Sequence, residues 1–253
     1  MDGFQGKNVW IIGASSGIGY ALAKELSKRG ANLILSARST DKLEYLNNEM
    51  EGHHHICPLD VSDIRSVQQA FHYIQKQLGH IDSAINLAAL YDPGRLDNMD
   101  IEKTRQLVNV NLMGCFNIVY TILPTFIMQE HGQFVLCGSV AGFRGLPKGQ
   151  PYSATKAAVI NLAESLKAEN PNFDIKLINP GFVRTPLTDK NDFDMPMMIE
   201  PEQAAKAIAE GLLKSRFEIH FPKKFTIWMK VLRILPNSLY LKIARKLINN
   251  MSS

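Results

Sequence analysis

The sequence predicts an α/β fold: a single domain built on a doubly wound parallel sheet, with a basic amphipathic helical extension at its C-terminal end. Three observations carry this. Short apolar runs alternate with longer stretches of helical period between residues 8 and 221, which is how repeated βαβ units read in sequence. The runs are apolar nearly throughout rather than at every second position, as strands covered on both faces are. A length of 253 residues, 45% hydrophobic and 21% charged, is enough for one sizeable core.

The elements follow in order. "VWII" is the first strand and residues 17–29 the first helix. "NLILSA" leads to a polar helix over 41–50, "HICPLDV" to a helix over 64–78, and "IDSAINLAA" to a long helical stretch over 101–129. "GQFVLCGS" precedes the helix that contains Tyr152, "DIKLIN" precedes a loop and a helix over 201–214, and "FEIHF" is the last strand. Such a sheet takes its ligand at the carboxyl ends of its strands.

The first strand runs into "GASSGIG", where Gly13, Gly17 and Gly19 are spaced Gly-x-x-x-Gly-x-Gly. Glycines there let the backbone turn sharply and approach a pyrophosphate seated at a helix N-terminus. Ser15 and Ser16 add hydroxyl donors, and Ile18 completes the loop. The expected architecture is therefore of the Rossmann type, with residues 1–222 as a dinucleotide-binding domain and 223–253 as the extension. The second strand ends in "LSARS", with no acid to bond a ribose 2′-hydroxyl. Ala37 leaves room, Arg38 offers a guanidinium fork suited to a 2′-phosphate, and Ser36 and Ser39 add donors. The expected cofactor is NADP(H) rather than NAD(H).

In "PYSATKAAV", Tyr152 and Lys156 stand four apart and share one face if the segment is helical. On spacing alone the pair reads equally as an ordinary helix start with a surface lysine. The context is more specific: the glycine loop, Asp60 in "LDVSD", Asn86 in "NLAA", Asn111 in "NVNLMG", Ser139 in "GSVAG" 13 residues before Tyr152, and "PGFVRT" at 180–185. With these motifs the chain resembles, over about residues 7–220, the short-chain dehydrogenase/reductase family. The resemblance implies a catalytic set of Asn111, Ser139, Tyr152 and Lys156. Tyr152 would be the general acid/base, and Lys156 would lower its pKa and hold the nicotinamide ribose. Ser139 would hydrogen-bond the substrate oxygen, and Asn111 would anchor a water in a proton relay. The resemblance further implies cofactor contacts from Gly13, Ser15, Ser16, Gly17, Ile18, Gly19 and Arg38, from Asp60 and Val61 at the adenine, and from Asn86 along the cleft. Gly181, Val183 and Thr185 would hold the nicotinamide end, with Tyr152 and Lys156. Ile12 stands where the family often has Thr, and Asn86-Leu87-Ala88-Ala89 where it often reads Asn-Asn-Ala-Gly. Neither departure removes a catalytic group, so both are expected to tune cofactor affinity.

Reducing a ketone needs a hydride on carbon and a proton on oxygen. A free tyrosine, with a pKa of about 10, is a poor base at neutral pH. A nearby ammonium favours the phenolate, and a pKa nearer the working pH serves proton transfer both ways. The expected activity is NADP(H)-dependent interconversion of a secondary alcohol and a ketone, with a small-molecule alcohol or carbonyl substrate. Phe193, Met195, Met197 and Met198 in the loop after "PGFVRT" either line an apolar pocket, which would make that substrate lipophilic, or lie on a surface loop. The rival reading is a non-catalytic dinucleotide-binding protein that docks to a membrane or partner through its C-terminal helices. Epimerisation or dehydration on the same fold stays open.

The net charge of +4 is uneven. From Lys214 onward there are nine Lys and Arg against one acid, Glu218, whereas residues 1–213 hold 19 basic and 23 acidic side chains. The body therefore gives no reason to invoke nucleic acid. In the tail, Phe225, Trp228, Val231, Leu232 and Leu235 fall on one helical stripe. After Pro236, Leu239, Tyr240, Ile243, Ala244, Leu247 and Ile248 make a second, with Lys230, Arg233, Lys242, Arg245 and Lys246 off the stripes. Helices of that length do not reach across a bilayer. They either pack on the body or a second subunit, or make peripheral membrane contact through 223–253. No run of 18 apolar residues occurs, so no membrane-spanning helix is expected. Cys57, Cys115 and Cys137 form no Cys-x-x-Cys pair, and the N-terminus shows no signal peptide, which suits a reducing, cytoplasmic setting. His53–His55 has no companion ligands at recognised spacing, so no metal is expected. A homo-oligomer is expected.

Overall fold

The computed structural model describes residues 3–191 and 195–250, with side chains to residue 245. Phe193 and the side chains of Lys246, Leu247 and Ile248 lie outside the described residues. Seven strands, β1 (Asn8–Ile12), β2 (Asn32–Ser36), β3 (His55–Ile56), β4 (Ser83–Asn86), β5 (Gln133–Cys137), β6 (Asp174–Pro180) and β7 (Glu218–Phe221), form one sheet in the order β3-β2-β1-β4-β5-β6-β7. Every pairing is parallel. The winding reverses between β1 and β4, and a crevice opens at that switch point, outside the carboxyl ends of the strands.

Helices α1 (Gly17–Lys28), α2 (Thr40–Glu49), α3 (Ile64–Leu78), α4 (Ile101–Val108), α5 (Gly114–Met128), α6 (Tyr152–Glu169) and α7 (Pro201–Leu212) cover the two faces. Side chains alternate across the sheet. Val9 and Ile11 of β1 join Leu22 and Leu26 of α1, Leu43 of α2 and Ile208 of α7 on one face. Trp10 and Ile12 join Phe71 of α3, Ile118 of α5 and Val159 of α6 on the other. Both faces are buried, which is why the strands read as continuous apolar runs. Local chemistry sets several helix ends. The Asp63 carboxylate accepts from Arg65 N (2.9 Å) to start α3, and Gly79, at φ +76°, ends it. Asp100 caps α4 by accepting from Glu102 N (2.9 Å). Glu200 and Gln203 form a capping box around Pro201 at the start of α7.

The stretch expected as one helix over 101–129 is a continuous helical rod with a π turn at Asn109–Met113 between α4 and α5. By length and composition Ile101–Met128 would suffice to cross a membrane, where the sequence reading expected no such helix. Here Leu107, Ile118, Ile122 and Phe126 are buried, the last three in the sheet's core.

The extension forms α8 (Lys223–Ile234) and α9 (Asn237–Asn250). Its inner faces pack on the body. The buried side of α8 is Phe225, Thr226, Met229 and Leu232, so the expected stripe is corrected: Trp228 and Val231 point outward and Met229 inward. In α9, Tyr240 and Ala244 are buried, while Leu239 is exposed. Tyr240 donates its hydroxyl to Gly145 O at 2.8 Å. Arg144 spans the corner between the two helices, donating to Leu232 O (3.3 Å), Leu235 O and Asn237 Oδ1 (2.9 Å), with its guanidinium 4.8 Å from the Tyr240 ring centroid.

Candidate active site

The first half of the site is the loop between β1 and α1. Ser16 is extended and makes no side-chain cap, so the first N–H groups of α1 keep their capacity for an anion. Gly13 holds φ +95°, and a Cβ there would meet Ala88 N at 2.7 Å. A Cβ on Gly19 would meet Gly13 O at 2.1 Å. Only glycine permits this close approach of helix, loop and the segment that follows β4. The loop forms one wall of a cleft of about 360 Å³. Of the residues named from sequence, Gly13, Ser15, Ser16, Gly17, Ile18, Gly19, Arg38, Asp60, Val61 and Thr185 line it. Arg38 is exposed at its rim, beside Lys42, a second cation that sequence reading missed. The Asp60 carboxylate accepts from Ser62 N (2.9 Å) and Ser62 Oγ (2.6 Å). A backbone cradle that a Cβ would fill, an uncapped helix start and two rim cations fit a dinucleotide phosphate chain.

Asn86 and Asn111 are not among the residues that line this cleft. Asn86 is buried beneath the cleft, accepting from Ala88 N (3.1 Å) and donating to Cys115 Sγ (3.3 Å). Asn111, in the π turn, accepts from Leu90 N (2.7 Å) and donates to Leu90 O (2.9 Å) and Thr155 Oγ1 (3.3 Å). Its amide ties the π turn to Leu90 and to α6. Both asparagines fix the 87–90 segment that forms the cleft floor.

The second half is built by β5 and α6. Ser139 follows β5, and its Oγ accepts from Ala141 N (3.1 Å) to open a short 3₁₀ turn at Val140–Gly142. Ser153 Oγ donates to Ala141 O (2.6 Å), tying that turn to α6. A Cβ on Gly142 would meet Ala157 N at 2.7 Å, so the turn and helix meet almost backbone to backbone. This brings Ser139 within hydrogen-bonding reach of the Tyr152 hydroxyl. One turn along α6, Lys156 is 3% exposed. Its Nζ donates to Cys137 O (2.8 Å) and lies 5.5 Å from the Tyr152 ring centroid.

Burial raises the Tyr152 pKa above the ordinary tyrosine value; Lys156 pulls it down, Cys137 pushes it up, and the Ser139 hydrogen bond pulls it down. Lys156 therefore acts in the expected direction, but burial outweighs it and the net shift is upward. Lys156 itself is lowered by burial and raised by Tyr152, Cys137 and Cys115, with a net upward shift that keeps it cationic. Burial pushes the Cys115 thiol up to about 11.

Beyond this trio lies a cavity of about 880 Å³. Ser139, Tyr152, Lys156, Gly181, Val183 and Thr185 line it, with walls from Tyr91, Leu146, Phe182, Phe225, Trp228 and Met229. Tyr91 packs edge-on against Tyr152 with ring centroids 4.8 Å apart, and donates its hydroxyl to Asn191 Oδ1 (2.6 Å). The loop after β6 contributes Leu187, Thr188, Asn191 and Pro196, and the cavity lining holds none of Met195, Met197 and Met198, for which two alternatives stood open. Met195 and Met198 are half-buried outside the lining, and Met197 is exposed. The two cavities share Ile18, Leu87, Ala89, Cys137, Thr185 and Leu187, so they are two compartments of one cleft.

A family model described as short chain dehydrogenase matches residues 7–195. Among curated proteins, an oxidoreductase named UcpA from Salmonella typhimurium is 34% identical over 229 residues, covering 87% of this chain and 86% of that protein. An uncharacterized oxidoreductase of Myxococcus xanthus is 28% identical over 242 residues, covering 94% and 96%. Among solved structures, an alcohol dehydrogenase from the archaeon Thermococcus sibiricus, complexed with 5-hydroxy-NADP, superposes with a TM-score of 0.76 at 28% identity, covering 86% of this chain and 96% of that one. A short chain dehydrogenase/reductase from Burkholderia phymatum, in complex with NAD, reaches a TM-score of 0.83 at 23% identity, covering 91% and 94%, a likeness of fold.

Proposed function

This chain belongs to the short-chain dehydrogenase/reductase family of oxidoreductases, and we propose that within it the protein interconverts a lipophilic secondary alcohol and its ketone with NADP(H). The observation that carries the reading is the position of Tyr152, with Ser139 and Lys156, in an apolar-walled cavity that joins the glycine-loop cleft. A nicotinamide dinucleotide would be held by Gly13–Gly19, Arg38 and Thr185 and would supply the hydride when bound. The protein's own groups manage the oxygen. The Tyr152 phenol gives its proton to the developing alkoxide during reduction, and its phenolate takes the alcohol proton during oxidation. Ser139 donates to the same oxygen and stabilises charge as it forms there. Lys156, buried and cationic, stabilises the phenolate that reduction leaves behind.

Three observations support NADP(H) over NAD(H). Arg38 and Lys42 stand together at the cleft rim, β2 ends without an acid, and the 28%-identical alcohol dehydrogenase is complexed with 5-hydroxy-NADP. The walls of Tyr91, Leu146, Phe182, Phe225, Trp228 and Met229 support a lipophilic substrate. Each methylene taken up by such walls contributes about 0.8 kcal/mol, or roughly fourfold in affinity. An NADPH-oxidation screen against ketones and aldehydes of graded chain length should therefore show KM falling about fourfold per added methylene until the cavity is filled. Tyr152→Phe should abolish turnover and leave NADPH binding near normal. Tight NADPH binding without turnover across the whole panel would favour a non-catalytic binding protein, and a wide preference for NADH would overturn the role of Arg38.

A further inference from the structure

Helix α8 has two apolar sides. One, Phe225, Met229 and Leu232, is spent on the core and the cavity wall. The other consists of Ile227, Trp228, Val231 and Ile234, all exposed, with Ile234 at 80% and Trp228 at 51%. Spacings of three and four residues put these on one stripe. Lys223 and Lys224 are exposed at its N-terminal end. In α9 the exposed side continues with Leu241, Lys242 and Arg245. Residues 223–253 hold seven Lys and Arg and no Asp or Glu. Trp228 belongs to both regions: it lines the substrate-side cavity and stands half in solvent on the stripe.

We propose that the outer face of α8 docks on an anionic lipid surface, with Trp228 and Ile234 in the interface and the lysines against the headgroups, so that the mouth of the cavity meets the bilayer. An apolar stripe with a tryptophan, framed by cations and free of acids, is the composition that binds such surfaces. Twelve helical residues reach only about 18 Å, so the helix lies on the surface and does not cross it. A second copy of the chain is the poorer occupant. A two-fold contact through this face would bring together the cations of two segments that hold no acid to offset them. Docking does not depend on the proposed catalytic function; delivery of a lipophilic substrate does, and vesicle binding reports docking alone.

The chain has two tryptophans. Trp10 is fully buried with its indole N–H on Ser36 Oγ (2.8 Å), so a change in emission on adding vesicles reports Trp228. Removing residues 223–253 would strip Phe225, Met229 and Leu232 from the core, so the full chain and exposed-site variants are the right reagents. Vesicles of phosphatidylcholine with phosphatidylglycerol should shift Trp228 emission to the blue and sediment with the protein, and added salt should reverse both. Vesicles of phosphatidylcholine alone should bind more weakly. Lys223→Gln and Lys224→Gln should each weaken anionic-vesicle binding about fivefold, and Ile234→Ser should weaken it without changing the melting temperature or NADPH affinity. Trp228 emission that ignores anionic vesicles would overturn the proposal. So would an oligomer that falls apart on Ile234→Ser, which would assign the face to a second copy.

Discussion

At the scale of single residues, Tyr152 sits between opposed influences: burial favours the neutral phenol, while Lys156 and the Ser139 hydroxyl favour the phenolate. The balance has a measurable sign. Alcohol oxidation needs the phenolate, so its kcat/KM should rise with pH through the Tyr152 transition. Ketone reduction needs the phenol and should fall through the same transition. Lys156→Met removes the cation and should move the transition to higher pH in both directions, which pH profiles of the purified variant would show. An unmoved transition would mean that Lys156 serves only as a ribose ligand and structural donor. The variant also strands Cys137 O, now bonded to Lys156 Nζ at 2.8 Å, at about 1–3 kcal/mol, so profiles should be taken well below its melting temperature. Tyr152, Lys156 and Ser139 stood out through the ordered motifs around them, not through their spacing alone, and the structure sets all three in one cavity wall. The partners of the two asparagines carried no signature: Asn86 bonds locally to Ala88 N and Asn111 reaches 21 residues back to Leu90 N. Lys42 was missed because a helical surface lysine has no signature until the fold sets it beside Arg38.

At the scale of elements, every strand and the body helices could be read from apolar period, since a sheet buried on both faces leaves continuous runs. Two features could not. The π turn at Asn109–Met113 contains no proline or glycine; it accompanies the engagement of Asn111 with Leu90 across the cleft floor. The phase of α8 was ambiguous because both of its sides are apolar, and only the core decides that Met229 rather than Trp228 turns inward. What holds the extension in that phase is the Arg144 clasp on Leu232 O, Leu235 O, Asn237 and the Tyr240 ring. Arg144→Ala removes charge-assisted bonds to three acceptors and should cost about 2 kcal/mol, or roughly 5 °C in melting temperature for a chain of this size. Because α8 carries the Phe225–Trp228–Met229 wall and not the proton-transfer groups, KM for a lipophilic ketone should rise while kcat is largely kept. A fall in kcat at unchanged KM would place Arg144's influence on the Ser139 turn instead.

At the scale of the whole molecule, strand order alone puts the ligand crevice at the β1/β4 switch point, and the glycine loop marks which end of the sheet it occupies. The cavity walls were not legible, because they are assembled from segments as far apart as Tyr91, Leu146, Phe182 and Trp228. The same assembly leaves a second exposed apolar stripe on a different element. Met113 at the end of the π turn and Phe116, Tyr120 and Ile127 of α5 recur on one side of the rod and are all exposed, Tyr120 at 70%. Contiguous apolar surface of this kind marks a contact face, and unlike α8 this stretch holds no Lys or Arg to favour an anionic surface. A two-fold axis through the stripe would pair Phe116 and Tyr120 with their own copies. Light scattering of the wild type should then give at least twice the chain mass of 28.3 kDa. Phe116→Glu combined with Tyr120→Glu would bring four carboxylates together across that axis and should return the mass to 28.3 kDa. Both positions face solvent in the single chain, so the double variant should keep its fold and its affinity for anionic vesicles. A monomeric wild type would leave the α5 stripe without a second copy as its partner.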